Sequence, residues 1–320
     1  MSEPIIRVTD IAWIRLQTPD LDLQEQFLTD FGLARSERTS GALYMRGTDP
    51  QHHLHVSELG DQPRVLSIAF WAASEDDLHK LARAAEGASP VEEIDEPGGG
   101  KRVRLTEHNG FGIEVVFGVE RVPALPVQVN TLNSGTAKQA RAGELLRVET
   151  RPSQVKRIGH AVLSTPEVDK SVAWAHRHLG IIRSDDVHAE DDPNRLLASF
   201  NRIDAGDDYV DHHVMMFALH PNAGLNHVSF EVQDIDDLAV GHDFLKQRGR
   251  WRHVWGLGRH TLGSQIFDYW KDPWGRMHEH WTDSDVLNRH YGHRVHPRSK
   301  GLRSQWGPQA PQEFRDTASR

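Results

Sequence analysis

The chain has 320 residues, enough for two domains that each bury a core, and its formal net charge is −9. This acidic balance argues against anionic partners, so we expect no binding to nucleic acid or to a membrane surface. The chain contains no cysteine, which excludes disulfides and thiolate metal ligands. It also lacks an apolar run of about 18 residues, which excludes a transmembrane helix. Its N-terminus lacks the basic and apolar segments of a signal peptide, so we expect a cytoplasmic protein.

Strand and helix patterns alternate along the chain. In the second half, residues 157–163 alternate between apolar and polar side chains and are rich in branched ones, as in a half-buried strand. A helix is predicted to open at 165–167 and to end near Gly180, because glycine suits the position after a helix. The pattern recurs from residue 234 to Gly249. The order therefore predicts two βαβββ modules per domain, with sheets curled around a funnel.

The two halves of the chain resemble each other. Three pairs of segments align without gaps: 11–18 with 158–165, 65–78 with 225–238, and 107–114 with 272–279. Self-similarity of this length indicates a duplicated structural unit. The polar stretch 130–143 marks the boundary between the copies. We predict an N-terminal domain over 1–135, a linker over 136–152, a C-terminal domain over 153–287 and a tail over 288–320.

Three side chains of the second copy form a candidate metal site: His160, His227 and Glu279. Two imidazoles and one carboxylate are the facial ligand set of mononuclear non-haem Fe(II) sites, which leaves the opposite side of the metal open. The aligned positions of the first copy hold Trp13, Ser67 and Glu114. Any one of the three candidates alone would be an ordinary strand side chain, but their repeat-equivalent positions favour ligation. We therefore expect the second copy to bind metal and the first to have lost the site.

The segment 258–279 resembles the signature of the type I extradiol ring-cleaving dioxygenases of the vicinal oxygen chelate superfamily. The residues that carry the resemblance are Gly258, His260, Tyr269, Asp272, Pro273, Gly275 and Glu279. Asp268 departs from the pattern, because the family usually has an apolar side chain there. The resemblance covers about residues 5–285. It implies an α+β fold of two tandem glyoxalase/bleomycin-resistance-like domains, each built from two βαβββ modules around a funnel-shaped sheet.

The resemblance implies extradiol (meta) cleavage of a small catecholic substrate by O2, in bacterial degradation of aromatic compounds. The implied cofactor is Fe(II), with Mn(II) as the alternative because it accepts the same ligands, and the implied assembly is a homo-oligomer of four or more chains. His160, His227 and Glu279 become the metal ligands. His213, fourteen residues before His227, becomes the acid–base group, since an imidazole of ordinary pKa suits proton transfer at neutral pH.

Further side chains are assigned by the same resemblance. His260 and Tyr269 are expected to hydrogen-bond the substrate oxygens, and Phe200 to line the substrate pocket. The segment 212–217 reads as a strand, so its two histidines should face opposite sides and only His213 should reach the funnel. Asn226 is expected to support the neighbouring ligand or to be purely structural.

Other charged side chains have a weaker basis in the sequence. Arg183 and Arg259 are candidates for meeting a substrate carboxylate, although a solvated arginine is the default expectation. Most of the 21 histidines, His52 and His53 among them, are expected at the surface.

The tail over 288–320 is polar and basic, which is typical of a mobile end. It also carries spaced aromatic residues, including Tyr291, Trp306 and Phe314. Buried aromatic side chains contribute large apolar contacts. We therefore expect the tail to pack across its own active-site domain or a neighbouring subunit and to shield part of the funnel mouth.

Two other functions use the same fold. A glyoxalase-like isomerase or a thiol transferase would have a comparable metal site, usually assembled from two half-sites with Zn or Ni. A non-enzymatic protein that binds aromatic compounds would have no reason to keep three metal ligands. The site residues predicted here favour dioxygen chemistry over both.

Overall fold

The computed structural model describes residues 3–320. The first domain contains β1 Val8–Thr18, α1 Leu21–Phe31, β2 Ala34–Arg38, β3 Ala42–Arg46, β4 His55–Leu59, β5 Arg64–Ala72, α2 Glu75–Ala84, β6 Glu92–Glu93, β7 Lys101–Thr106 and β8 Gly112–Phe117. The second contains β9 Val155–Thr165, α3 Val168–Leu179, β10 Ile182–His188, β11 Leu196–Arg202, β12 Val210–Asp211, β13 Met215–Leu219, β14 Gly224–Val232, α4 Ile235–Arg248, β15 Arg252–His260, β16 Ile266–Lys271, β17 Met277–Thr282 and β18 Val286–Leu287. The tail forms a 3-10 turn Arg289–Tyr291, β19 Arg294–Pro297, α5 Arg298–Gly301, β20 Ser304–Trp306 and α6 Gln312–Arg315.

Each domain is built around one large mixed sheet of two βαβββ modules, and β12 and β18 form an additional two-stranded sheet in the second domain. The first sheet has the order β2-β3-β4-β1-β5-β8-β7-β6, and the second has β19-β10-β11-β13-β9-β14-β17-β16-β15-β20. In both domains the first strands of the two modules pair antiparallel at the centre, as β1 with β5 and as β9 with β14. Each central strand also pairs in parallel with the last strand of its own module. The two halves therefore share one topology, as their sequence similarity predicts.

The strand register aligns the two copies residue by residue. In the second domain Ser229 of β14 is paired with His160 of β9 and with Glu279 of β17. The corresponding paired positions of the first domain are Ala69, Trp13 and Glu114. The aligned side chains of the two copies thus occupy equivalent places in their sheets.

The predicted helix ends agree with the structure. α3 ends before Gly180 and α4 before Gly249, and both glycines have positive φ angles, +71° and +63°. At the start of α4 the Asp234 side chain accepts a hydrogen bond from the backbone N–H of Asp237. None of the helices within residues 3–320 is long and apolar enough to cross a membrane.

The domains pack through one continuous apolar core. The ring of Phe31 stacks on His280 with a centroid distance of 3.6 Å, and His280 Nε2 lies 2.6 Å from the Phe31 carbonyl oxygen. The guanidinium of Arg276 donates to the backbone carbonyl of Gln17 at 2.7 Å and pairs with the buried Asp272 at 2.7 Å. The interface therefore combines apolar burial with a buried ion pair.

The interdomain segment and the C-terminal tail differ from each other in structure. Residues 122–154 contain no helix or strand, and the predicted linker lies within them. The tail instead extends the second sheet at both edges, because β19 pairs with β10 and β20 pairs with β15. The default expectation of a mobile end is therefore wrong, and the tail packs on its own active-site domain.

Replacing Arg276 with Ala should cost about 3 kcal/mol of unfolding free energy, because it strips the buried Asp272 of its cationic partner. Arg248→Ala is the matched control. Arg248 also reaches across the interface, to Asp30 at 3.4 Å, but its side chain is 48% exposed, so its loss should cost under about 1 kcal/mol. Urea unfolding of both variants measures the difference, and equal costs would contradict the role given to Arg276.

Candidate active site

The structure brings His160, His227 and Glu279 together from three neighbouring strands, β9, β14 and β17. The Nε2 atoms of His160 and His227 lie 3.1 and 3.3 Å from Oε2 of Glu279. All three side chains are buried, and one donor atom from each lies within 4.8 Å of the other two. Donor atoms at this spacing can share one metal ion.

The surroundings of these side chains fit a metal. Asn226 Oδ1 lies 2.7 Å from Nδ1 of His227, so that nitrogen carries the proton and Nε2 keeps its lone pair. Ser229 donates to Glu279 Oε2 at 2.6 Å. Within the described chain, the other carboxylate oxygen of Glu279 is buried and has no hydrogen bond of good geometry, although His260 Nε2 lies 3.5 Å from it. A buried anionic oxygen of this kind suits a cation, so the donor set fits a divalent ion.

The protonation states also suit metal binding. Burial acts to raise the pKa of Glu279, but the adjacent imidazoles of His160, His227 and His260 hold it well below its usual value. Burial lowers the pKa of His160, although Glu279 opposes the shift. The carboxylate is therefore charged and the imidazole neutral at neutral pH, which are the forms that coordinate a metal.

His213 lies beside the ligands, where the sequence predicted it. Its ring is 4.2 Å from that of His160, and the ring of Phe200 packs against it edge-on at 5.1 Å. Both His213 and Phe200 line the cavity above the ligands. Burial and the neighbouring His160 lower the pKa of His213 well below its usual value, which favours the neutral imidazole.

His212 points away from the cavity, as expected, but not because of strand alternation. Strand β13 begins only at Met215, so the predicted strand over 212–217 is wrong at its start. His212 turns away because its Nε2 bonds Asp185 Oδ2 at 2.6 Å, while its Nδ1 lies 3.1 Å from Nδ1 of His213.

His260 and Tyr269 complete the wall of the site. His260 Nε2 lies 2.9 Å from the Tyr269 hydroxyl, which is buried beside Glu279. Burial, and then the Glu279 charge, raise the pKa of Tyr269 well above 10. Tyr269 therefore stays protonated and can donate a hydrogen bond into the site.

The cavity above the ligands has a volume of about 640 Å³, which is in the range of small-molecule sites. Its apolar wall includes Val162, Phe200, Trp255 and Leu262. Within the described chain, no Asp or Glu belongs to its lining, whereas four arginines do: Arg195, Arg298, Arg303 and Arg315. In a chain of net charge −9, this rim is a local cationic region.

The arginines favoured by the sequence do not lie at the cavity. Arg183 is bound to Asp186 and Asp169, and Arg259 is bound to Asp283 at 2.7 Å. The rim arginines were missed because three of them belong to the tail, whose path over the cavity does not follow from local sequence. The basic composition of the tail was the only available signal.

The tail closes one side of the cavity and contacts side chains next to the candidate metal ligands. The side-chain amide of Asn226 donates to the backbone carbonyls of Phe314 and Thr317 at 3.1 and 3.2 Å. The Phe314 ring lies 5.7 Å from His227 and 4.9 Å from Tyr269. Asn226 therefore supports the candidate ligand His227, which was one of the two roles expected for it. It also links the tail to that ligand.

The equivalent place in the first domain is filled by ion pairs. Glu114 accepts from Arg15 Nε at 3.1 Å and lies 3.4 Å from Arg102 Nη1, and Ser67 donates a short hydrogen bond to it. Arg15 occupies the position that aligns with Val162 in the second domain. The retained carboxylate thus has cationic partners from the protein itself.

A histidine pair is also retained in the first domain. His52 and His53 are buried rather than solvated, which corrects the expectation of surface positions. Their Nδ1 atoms are 3.0 Å apart, as those of His212 and His213 are 3.1 Å apart, and His53 packs against Trp13 at 4.5 Å. The sequence signal for this pair is the repeat itself, because His52 and His53 align with His212 and His213 at the same offset as residues 65–78 with 225–238.

Comparisons with known proteins agree with this geometry. The family profile described as the Glyoxalase/Bleomycin resistance protein/Dioxygenase superfamily matches residues 10–115 and 157–279. Metapyrocatechase 2 of Cupriavidus necator is 28% identical over 324 residues, covering 98% of this chain and 93% of that protein. The predicted fold class and the family resemblance are confirmed.

Two solved structures illustrate the similarity. Homoprotocatechuate 2,3-dioxygenase from Arthrobacter globiformis superposes with a TM-score of 0.80 at 20% identity, covering 100% of this chain and 94% of that one. The Mn(II)-bound glyoxalase from Novosphingobium aromaticivorans superposes with a TM-score of 0.77 at 25% identity, covering 96% of this chain and 94% of that one.

Glu279→Gln should lose most of the bound metal, because the amide lacks the charge that balances the ion. Glu114→Gln should keep the metal content of the unmodified protein, since its partners are arginines, but should lower stability because those arginines lose a buried counter-charge. Metal analysis after dialysis, together with thermal unfolding, measures both effects. Full metal content in the Glu279 variant would overturn the ligand assignment.

Proposed function

Because the chain belongs to the glyoxalase, bleomycin resistance protein and dioxygenase superfamily, we propose that it is an extradiol dioxygenase. It cleaves a catecholic ring with O2, next to the pair of hydroxyl groups. The observation that carries this proposal is the convergence of two groups of side chains on one cavity. A two-histidine, one-carboxylate cluster lies at its base, and His213, His260 and Tyr269 surround that cluster.

The proposed metal is Fe(II), held by His160, His227 and Glu279. This ligand set is typical of non-haem Fe(II) oxygenases, and Mn(II) is the alternative because a Mn(II)-bound structure is among the similar ones. When bound, the ion supplies the redox chemistry with O2 and a positive charge that acidifies a catechol hydroxyl. The homo-oligomer implied by the family stays a prediction.

Tyr269 and His260 would hold the substrate oxygens. The Tyr269 hydroxyl stays protonated because its pKa is raised, so it donates to a catecholate oxygen and stabilises the anion. His260 bonds that hydroxyl at 2.9 Å and stands nearer the mouth, with its side chain 20% exposed. Together they set the direction in which the ring enters.

His213 would act as the proton acceptor, positioned by a chain of hydrogen bonds. The pKa of Asp185 is lowered overall, because hydrogen bonds from His212 and His296 outweigh the opposing effect of burial. Asp185 is therefore ionised and accepts a hydrogen bond from His212 Nε2. With Nε2 as its donor to Asp185, His212 can accept at Nδ1 from Nδ1 of His213. This order leaves the Nε2 lone pair of His213 free to take the proton of a substrate hydroxyl and return it later.

The alternatives fit the arrangement less well. A glyoxalase-like isomerase that assembles its site from two half-sites would need ligands from both domains. Here all three ligands come from one domain, and the equivalent place in the other is filled by Arg15 and Glu114. A binding protein without catalysis would not need a proton acceptor oriented by Asp185.

The direct test is anaerobic reconstitution with Fe(II), followed by catechol and then air. The protein should consume O2 and form a yellow ring-opened product. His213→Phe should bind iron and catechol normally but lose about 10²- to 10⁴-fold in kcat, the usual contribution of a general acid–base group. Stopped-flow absorbance and oxygen electrode traces measure these rates.

His53→Phe is the matched control for His213→Phe. It alters a buried histidine pair of the same geometry in the domain without the ligand set, so its kcat should be unchanged. Absence of O2 uptake by the iron-loaded protein with every catechol tried would refute the dioxygenase assignment. Equal losses of kcat in the two variants would refute only the role of His213 and would leave the dioxygenase assignment standing.

We further propose that the preferred substrate carries an anionic ring substituent, such as a carboxylate. Among residues 3–320, four arginines and no acidic residue line the cavity, and the arginines lie at its rim. The side chains of Arg195, Arg298 and Arg303 make no hydrogen bond or ion pair in the described chain, and Arg315 bonds only Ala310 and Gln312. These exposed cations therefore have no internal counter-charge and are available to an anionic ligand.

A double replacement, Arg298→Ala with Arg303→Ala, should raise KM for 3,4-dihydroxyphenylacetate by roughly 3- to 10-fold, as expected for exposed ion pairs. KM for uncharged 4-methylcatechol should not change. The control Arg259→Ala removes an arginine that is already bound to Asp283, and it should affect neither substrate. Steady-state kinetics at low and high salt measures this, and equal effects on both substrates would contradict the proposal.

A further inference from the structure

A second cluster with metal-binding geometry lies on the outer side of the second sheet. It consists of His242 on α4, His253 on β15 and Asp268 on β16. Successive side chains of a strand face opposite sides, so Asp268 faces away from the cavity into which the neighbouring Tyr269 projects. The cluster is therefore separate from the active site, although it lies on the same hairpin.

This cluster has the same ligand types and a similar donor spacing as the proposed catalytic centre, but its two imidazoles face different oxygens of the carboxylate. His242 Nδ1 lies 3.0 Å from Asp268 Oδ2, and His253 Nε2 lies 2.8 Å from Asp268 Oδ1. The two imidazole rings are 4.9 Å apart at 85°, compared with 5.5 Å at 76° for His160 and His227. One donor atom from each of the three residues lies within 4.8 Å of the other two.

The carboxylate of this cluster is fully buried. The side chain of Asp268 is 0% exposed. Taking a carboxylate out of water is costly unless cations or hydrogen bonds compensate it. In the described chain, its ion-pair partners are the two histidines, and Trp270 Nε1 donates to Oδ2 at 2.5 Å.

The supporting contacts also parallel those of the catalytic centre. Trp270 fixes the carboxylate of Asp268 as Ser229 fixes that of Glu279. The side chains of His242 and His253 are 16% and 18% exposed, so an ion can reach them from solvent. We propose that His242, His253 and Asp268 bind a second divalent metal ion of the borderline class, such as Zn²⁺, Ni²⁺ or Co²⁺.

The ligand types decide the class of ion. Two imidazoles and one carboxylate suit Zn²⁺, Ni²⁺ and Co²⁺, whereas Mg²⁺ and Ca²⁺ prefer sites made of oxygen ligands. The bound ion would tie α4 to the β15–β16 hairpin. That hairpin carries His260 and Tyr269 on its other face, so the ion would stiffen the wall of the cavity without touching the substrate.

The test is Zn²⁺ binding to the full-length protein after chelator treatment, by equilibrium dialysis and titration calorimetry. The unmodified protein should bind a second Zn²⁺ beyond the one at the catalytic centre. A variant with His227→Ala and Glu279→Gln should still bind one ion. Adding His242→Gln and His253→Gln to it should abolish that binding, and Zn²⁺ should then no longer raise its Tm.

The glutamine replacements separate metal binding from a purely structural role. Glutamine can still donate a hydrogen bond to Asp268, so the fold should survive while the imidazole ligands are lost. His79→Ala, which removes a histidine beside Glu75 on α2, is the control and should leave binding unchanged. If the variant without His227 and Glu279 binds no Zn²⁺, or if the glutamine replacements leave its binding intact, the second site does not exist.

Discussion

The buried charge of Glu279 is the interaction on which the site depends. A carboxylate that is 0% exposed is stable only where donors or cations surround it. Here the central strand pairing supplies them, because β9 presents His160, and β14 presents His227 and Ser229, to the same oxygen of Glu279 on β17. The site therefore follows from the register of three strands, and a shift of one residue in any of them would remove a partner.

The two domains stabilise an equivalent buried carboxylate in different ways. In the first domain Glu114 is paired with Arg15 and Arg102, and the cluster is satisfied by the protein alone. In the second domain the aligned place of Arg15 is the apolar Val162, which leaves space above the ligands. The difference between the two domains is therefore small in sequence, since the internal arginines of the first are replaced in the second by imidazoles, which under the proposed function would bind a metal cation.

The sequence predicted those features that depend on short-range pattern or on the repeat. The modules, the helix ends at Gly180 and Gly249 and the alignment of Glu114 with Glu279 all belong to this class. Features that depend on long-range packing were missed. The reason for the orientation of His212 is Asp185, which is 27 residues away, and the rim arginines are placed by a tail whose pairing partners, β10 and β15, are distant in sequence.

The tail also contacts the hydrogen-bonded chain that leads to His213. The hydroxyl of Tyr291 and Nε2 of His296 both bond Asp185, at 3.1 and 2.8 Å, and Asp185 orients the pair His212 and His213. Phe314, near the other end of the tail, covers His227. A single proteolytic nick that released the tail would thus uncover His227 and remove two of the groups that hold Asp185 in the same event.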